Sequence, residues 1–284
     1  MDDTAANEDT YIMDARGGAE YARLGDQDRS VNEAMGSLFP PAIDSGGVHE
    51  ALDAACGPGG WALTVAGTYH HAHVTGVDIN ATMISYAQAQ ANVRRLGNVA
   101  RFQVMDVRKP LEFAAESFDL VNARFMASFL PRMEWPRVVK EFARVARKSG
   151  HIVLTESDVA GETSSASFRE VLRVVSEAMN LVNLYSEAGV RVTLSLEQLL
   201  RDAGCRDIQQ TWHRVDYSLG TPVHRAICEN TIAGMRLAQP FLLSTKIASP
   251  ERLDALFRQA EIDMFSEGFQ SFWDFLTVWG TVSE

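Results

Sequence analysis

Leu52-Asp53-Ala54-Ala55-Cys56-Gly57-Pro58-Gly59-Gly60-Trp61 is the stretch that decides the fold. Val48 to Ala51 precedes it, and Ala62-Leu63-Thr64-Val65-Ala66 follows it. The order reads as a strand, a tight glycine turn and a helix. Glycines 57, 59 and 60 allow positive φ and place no Cβ in the path of a ligand. A helix starting at such a turn aims unpaired N–H groups and partial positive charge at the same point. Open α/β folds bind nucleotide-like ligands there.

The identity of that ligand is a question of charge. Gly57, Gly59 and Ala62 also satisfy the dinucleotide pattern G-x-G-x-x-G/A, so NAD has to be weighed. Asp53, four residues before Gly57, would repel a pyrophosphate and attract a cation. Pro58 removes one N–H from the loop and weakens it as a phosphate cradle. S-adenosyl-L-methionine (SAM) carries an ammonium and a sulfonium and no phosphate, which suits both residues.

The same segment resembles motif I of class I SAM-dependent methyltransferases, usually Asp-x-Gly-x-Gly-x-Gly. Ala55 stands where the first glycine is usual. The resemblance implies a Rossmann-like α/β fold with a seven-stranded, mostly parallel sheet and helical lid insertions. It also implies methyl transfer from SAM, with S-adenosyl-L-homocysteine as product.

Further acids fall in step with this plan. The second strand, His73 to Ile79, contains Asp78, placed about 20 residues beyond the loop to accept from ribose hydroxyls. Both NAD and SAM carry that ribose, so Asp78 does not discriminate. Asp106-Val107 follows the third strand, Ala100 to Met105, and resembles the position that bonds the adenine amino group. Ile79 and Met83 either flank the adenine or join the core. The expected cofactor set is thus Asp53, Ala55, Cys56, Gly57, Gly59, Asp78, Ile79, Met83, Asp106, Val107, Asn122 and Arg124.

The fourth strand, Phe118 to Ala123, leads into Arg124-Phe125-Met126-Ala127-Ser128-Phe129, where topology puts the methyl acceptor. Phe125, Met126 and Phe129, with Trp135, offer apolar surface to a small hydrophobic or aromatic acceptor. A leading helix from Gly18 to Phe39 either covers the pocket or packs on the sheet, and Tyr11, just before it, with Tyr21 and Gln27 on it, are candidates to touch the ligand or substrate. Its expected inward residues are Tyr21, Leu24, Val31, Met35 and Leu38. Glu156 ends the fifth strand and is a candidate base or hydrogen-bond partner for substrate. His224 is a second candidate base, and His213 a third. The acceptor atom, whether O, N, C or S, stays open.

The expected organisation is an N-terminal helical lid (1–45), a SAM-binding core (46–160), a helical insertion over the substrate pocket (161–195) and a C-terminal part of the core (196–284). That last part carries a helical insertion (221–268). Its closing strand, Phe269 to Val282, should pair antiparallel between the fifth strand and the strand Ile208 to Leu219. Helices are also expected at Ala81 to Leu96 and at Ser195 to Ala203, the latter capped by Ser195.

Composition narrows the class. The 284 residues are 46% hydrophobic and carry a formal charge of −11. With no basic run beyond Arg94-Arg95 or Arg147-Lys148, a nucleic-acid partner is not expected. Three scattered cysteines argue against a disulfide framework, and no apolar run reaches membrane-spanning length. The acidic start is unlike a signal peptide. The expectation is a soluble cytoplasmic enzyme with a small-molecule acceptor and no membrane or nucleic-acid partner; a homodimer stays open. His70, His71 and His73 lie at the edge opposite the ligand, and no metal is expected. Two other readings remain: an NAD-dependent oxidoreductase, and a SAM-binding protein that catalyses a reaction other than methylation.

Overall fold

A computed structural model of the chain describes residues 12–13, 18–159, 161–185 and 189–283. Helix α1 (Gly18–Met35) precedes β1 (Glu50–Ala54), α2 (Gly60–Thr68), β2 (His73–Asp78), α3 (Ala81–Val93), β3 (Ala100–Val104) and β4 (Phe118–Arg124). There follow α4 (Trp135–Val145), β5 (Ala146–Glu156), α5 (Ala166–Leu181), α6 (Leu196–Asp202), β6 (Cys205–Asp216), α7 (His224–Thr245), α8 (Pro250–Met264) and β7 (Phe272–Val282). The sheet has seven strands in the order β3-β2-β1-β4-β5-β7-β6. β1 to β5 run parallel, and β7 enters antiparallel between β5 and β6. The order reverses between β1 and β4, so the carboxyl ends of these two strands open the crevice in which such sheets bind ligands.

Local chemistry explains the helices. The Asn80 side chain accepts the Thr82 and Met83 N–H groups, capping α3. Ser165 caps α5 through the Phe168 N–H at 2.9 Å. Ser249 accepts from Arg252 N, and Pro250 opens α8. In α4, Trp135, Val138, Val139, Phe142 and Val145 form one apolar face against the sheet. One large core fills that side of the sheet, with α4 and α6 over it. A second lies under α2 and α3 on the other face. A third joins α5, α7 and α8 to Tyr217 and Phe275, above the carboxyl ends.

Several boundaries differ from the sequence reading. Helix α1 stops at Met35, because Gly36 turns the chain at φ 68°. Its buried residues are Glu20, Arg23 and Val31, so of the expected inward residues on this helix only Val31 is buried, and two charged side chains are enclosed beside it. Val93, at helical spacing from Met83, Ile84 and Ala87, is 78% exposed, since α3 ends there. Ser195 does not cap α6; its hydroxyl donates to Arg191 O instead. His71 and His73 lie at the amino-terminal edge of the sheet, against Ser45 O and Glu50. Among the described residues no His, Cys, Asp and Glu group is arranged to hold a metal. None of the helices described is long and apolar enough to cross a membrane.

Candidate active site

The glycine loop is built from left-handed backbone. Ala55 (φ 56°), Gly57 (φ 53°) and Gly59 (φ 80°) turn the chain from β1 into α2. Ala55 takes up this conformation despite its Cβ, so alanine serves where the motif usually has glycine. At Gly59 a Cβ would lie 2.7 Å from the Phe102 ring and 2.9 Å from Ala87 Cβ. The loop is therefore pressed onto α3 and β3 and admits no side chain there. Asp78 Oδ2 accepts the Gly57 N–H at 2.9 Å and Oδ1 accepts the Asn80 N–H at 2.8 Å. The β2 acid thus fixes the loop as well as facing the crevice.

Asp53 lies below the loop and is buried. Asn122 Nδ2 donates to its Oδ1 at 2.9 Å, and the Ala62 N–H at the start of α2 also reaches the carboxylate. Burial pushes Asp53 up to about 7; Arg124 and Asn122 oppose this, and nearby Asp28 adds to it. Asp106 behaves differently. Burial alone would raise it, but two hydrogen bonds and the charge of Arg108 hold it below the ordinary carboxylate range.

Helix α1 is tied across this region. Asp28 Oδ1 meets Arg124 Nη2 at 2.5 Å, and Arg124 Nη1 donates to Asn32 Oδ1 at 2.9 Å. The Trp61 N–H also reaches Asp28, whose pKa is raised chiefly by burial. A Cβ on Gly60 would fall 1.7 Å from Asp28 Oδ2. Gly60 is thus the seat of the α1 carboxylate on the amino end of α2. One turn earlier, Arg23 pairs with Glu20 at 2.6 Å, and Asn230 of α7 donates to Arg23 O at 2.6 Å.

On the acceptor side, Phe125 leaves β4 in the left-handed conformation, φ 56°. Its N–H donates to Thr155 O at 2.9 Å. Glu156 Oε1 accepts the Met126 N–H at 2.6 Å and Oε2 accepts the Ala127 N–H at 3.3 Å. Burial lifts Glu156 to about 8 against the pull of these two donors. The carboxyl anchors the loop after β4 with both of its oxygens.

A single cavity of about 690 Å³ runs along these features, within the size range of small-molecule sites. Asp53, Ala55, Cys56, Gly57, Asp78 and Ile79 line one part of it, continuing to Met83, Asp106 and Val107. Arg124, Phe125, Phe129 and Glu156 line the rest, with Gln27 from α1. Gly59 stands behind the wall, and Asn122 acts through Asp53 rather than facing the cavity. The Met126 side chain is fully buried in the core, as is Trp135, so only the Met126 backbone serves the site. The Tyr21 ring lies 5.8 Å from Tyr86 and lies outside the lining. His224 is buried against Phe265 and Phe269, with Nδ1 at 2.9 Å from Tyr217 O, and His213 stacks on Phe275; neither reaches the cavity. Tyr11 lies outside the described residues.

Sequence reasoning missed Asp28, Arg23 and the inner face of α7. Acids and arginines on an amphipathic helix read as solvated, and only the packing of α1 shows that they are enclosed. The α7 signal was present as Ile227, Thr231, Met235 and Ala238 at helical spacing.

Residues 51–150 match the family model of a methyltransferase domain. The chain is 40% identical over 85 residues to a phosphatidylethanolamine N-methyltransferase of Cereibacter sphaeroides, covering 30% of this chain and 40% of that one. It is 26% identical over 156 residues to methyltransferase str2 of Strobilurus tenacellus, covering 55% and 52%. The chain thus spans about half or less of the length of these curated relatives. Among solved structures, the YcgJ protein of Bacillus subtilis superposes with a TM-score of 0.55 at 18% identity, covering 90% of this chain and 99% of that one. A geranyl diphosphate methyltransferase in complex with SAM gives 0.53 at 16% identity, covering 94% and 92%. These two superpositions share the fold.

Proposed function

We propose that this chain, whose residues 51–150 match a methyltransferase domain, is a class I SAM-dependent methyltransferase that binds SAM in the cavity and methylates a small apolar acceptor. The observation that carries the reading is the row of acids, Asp53, Asp78 and Asp106, at the carboxyl ends of three adjacent parallel strands. All three line one cavity with the Gly57 turn. Carboxylates accept from hydroxyl, amino and ammonium groups and repel phosphates. This acceptor set suits a cationic adenosyl ligand and not the pyrophosphate of NAD.

In this reading Asp53 holds the ammonium end, Asp78 the ribose hydroxyls and Asp106 the adenine amino group. Ile79, Met83 and Val107 supply apolar contacts. SAM, when bound, supplies an electrophilic methyl on a sulfonium. The protein holds the acceptor in line and keeps water out. The loop Phe125–Phe129, fixed by Glu156, sets the acceptor's position. Glu156 is largely protonated at neutral pH and is a poor base in the free protein. Helix α1, clipped by Asp28 to Arg124, closes the site above the cofactor. The three cysteines are free and buried, which suits the reducing cytoplasm in which we place the enzyme.

Titration calorimetry with SAM, S-adenosylhomocysteine and NAD tests the proposal. Binding of the first two without NAD supports it; binding of NAD alone would overturn it.

A further inference from the structure

We infer that the acceptor is an uncharged, elongated apolar molecule, an alkyl or isoprenoid chain, held in a slot between α5 and α7 whose depth Gly234 sets. This rests on the methyltransferase reading above, since it assigns the remainder of the same cavity.

The slot is formed by two helical stripes. Phe168, Val171, Leu172, Val175 and Met179 of α5 face the cavity, as do Ile227, Thr231, Gly234, Met235 and Ala238 of α7. Each stripe spans 12 residues, whose ends lie about 16 Å apart along a helix axis. That length fits an extended chain better than a compact polar head. Of these side chains only Thr231 has a hydrogen-bonding group, and Asn230 beside it is tied to Arg23 O.

The charges select against anions. The cationic side chains lining the cavity are Arg23, Arg108 and Arg124, paired with Glu20, Asp106 and Asp28 at 2.6, 3.0 and 2.5 Å. Among the described residues no lysine or histidine joins them. Six acids line the same space: Asp28, Asp53, Asp78, Asp106, Glu156 and Asp158. A phosphate could gain an arginine only by stripping it from its carboxylate, and an unpaired buried charge is strongly unfavourable. An uncharged chain meets no such cost and gains from burial.

Gly234 sits inside a 22-residue helix without any need for positive φ. A Cβ there would rest 3.7 Å from Arg23 Cδ and 3.9 Å from Met13 Cε, which is ordinary contact. Alanine would fit and would favour the helix by about 1 kcal/mol. Local helix stability therefore does not account for the glycine, and what the position limits is a side chain larger than alanine. A leucine at this position has to take up cavity volume.

The test is titration of geraniol, farnesol and geranyl monophosphate into the protein loaded with S-adenosylhomocysteine. Geraniol should bind at least tenfold more tightly than its phosphate. G234L should weaken geraniol at least tenfold while S-adenosylhomocysteine affinity stays within twofold; G234A should leave geraniol within threefold. The slot is overturned if the phosphate binds as tightly as the alcohol, if neither alcohol binds, or if G234L leaves geraniol binding unchanged. If S-adenosylhomocysteine fails to bind while the alcohols bind the free protein as expected, the cofactor reading falls and the slot stands.

Discussion

Asp28 Oδ1 on helix α1 lies 2.5 Å from Arg124 Nη2 at the end of β4, joining residues 96 positions apart across the mouth of the cofactor cavity. The same carboxylate occupies the space in which Gly60 would carry a Cβ. Gly60 does not need positive φ, so its substitution by alanine should act through Asp28 alone. D28N and G60A are expected to weaken SAM binding together and to raise proteolysis within residues 18–35. Their double mutant should be little worse than either one, with a coupling energy of about 0.5–3 kcal/mol. Additive effects in a double-mutant cycle would break this link.

SAM affinity should depend on pH through Asp53. Its folded value of about 7 lies above the ordinary aspartate value of 3.8, so the free protein binds a proton there that a bound ammonium must expel. Affinity should rise with pH and level off above about 7. One linked proton makes binding at pH 6 about tenfold weaker than at pH 8. D53N should weaken binding at pH 8 and flatten the profile, which calorimetry in two buffers of different ionisation enthalpy would show.

Glu156 contributes to stability with a definite sign. Its folded value of about 8 exceeds the ordinary glutamate value of 4.5, so its contribution is full below pH 4.5 and is lost as pH rises through about 8. E156Q replaces one acceptor oxygen with an amide that cannot accept the Ala127 or Met126 N–H. It should lower stability by about 1–3 kcal/mol and flatten this part of the pH dependence. Thermal unfolding between pH 5 and 9 checks both outcomes; an unchanged melting temperature would remove Glu156 from its anchoring role.

Gly59→Ala combines a left-handed backbone with contacts of 2.7 and 2.9 Å to Phe102 and Ala87. Overpacking alone costs about 1–3 kcal/mol. The variant should melt earlier and lose SAM affinity as the loop shifts off α3. Denaturant unfolding gives the first value and calorimetry the second. Wild-type behaviour in both would mean that the loop tolerates a Cβ at this position.

The sequence by itself determined the sheet, the place of the crevice and the acids around it. Strand periodicity, the glycine turn and acids at strand ends are local signals, readable without knowing what packs where. It also indicated the antiparallel β7, through a final aromatic and β-branched run. What only the tertiary structure decided is which side chains face the cavity. Met126 and Phe125 are neighbours in sequence, yet the left-handed turn at Phe125 sends one into the core and leaves the other on the site. His224 looked chemically apt and is packed between phenylalanines, while Asp28 and Arg23 looked solvated and are enclosed. Such outcomes depend on contacts between residues far apart in the chain. In α1 these are the Asp28–Arg124 pair and the Asn230 hydrogen bond to Arg23, whose partners arrive from β4 and α7 only once the sheet and its lid have closed.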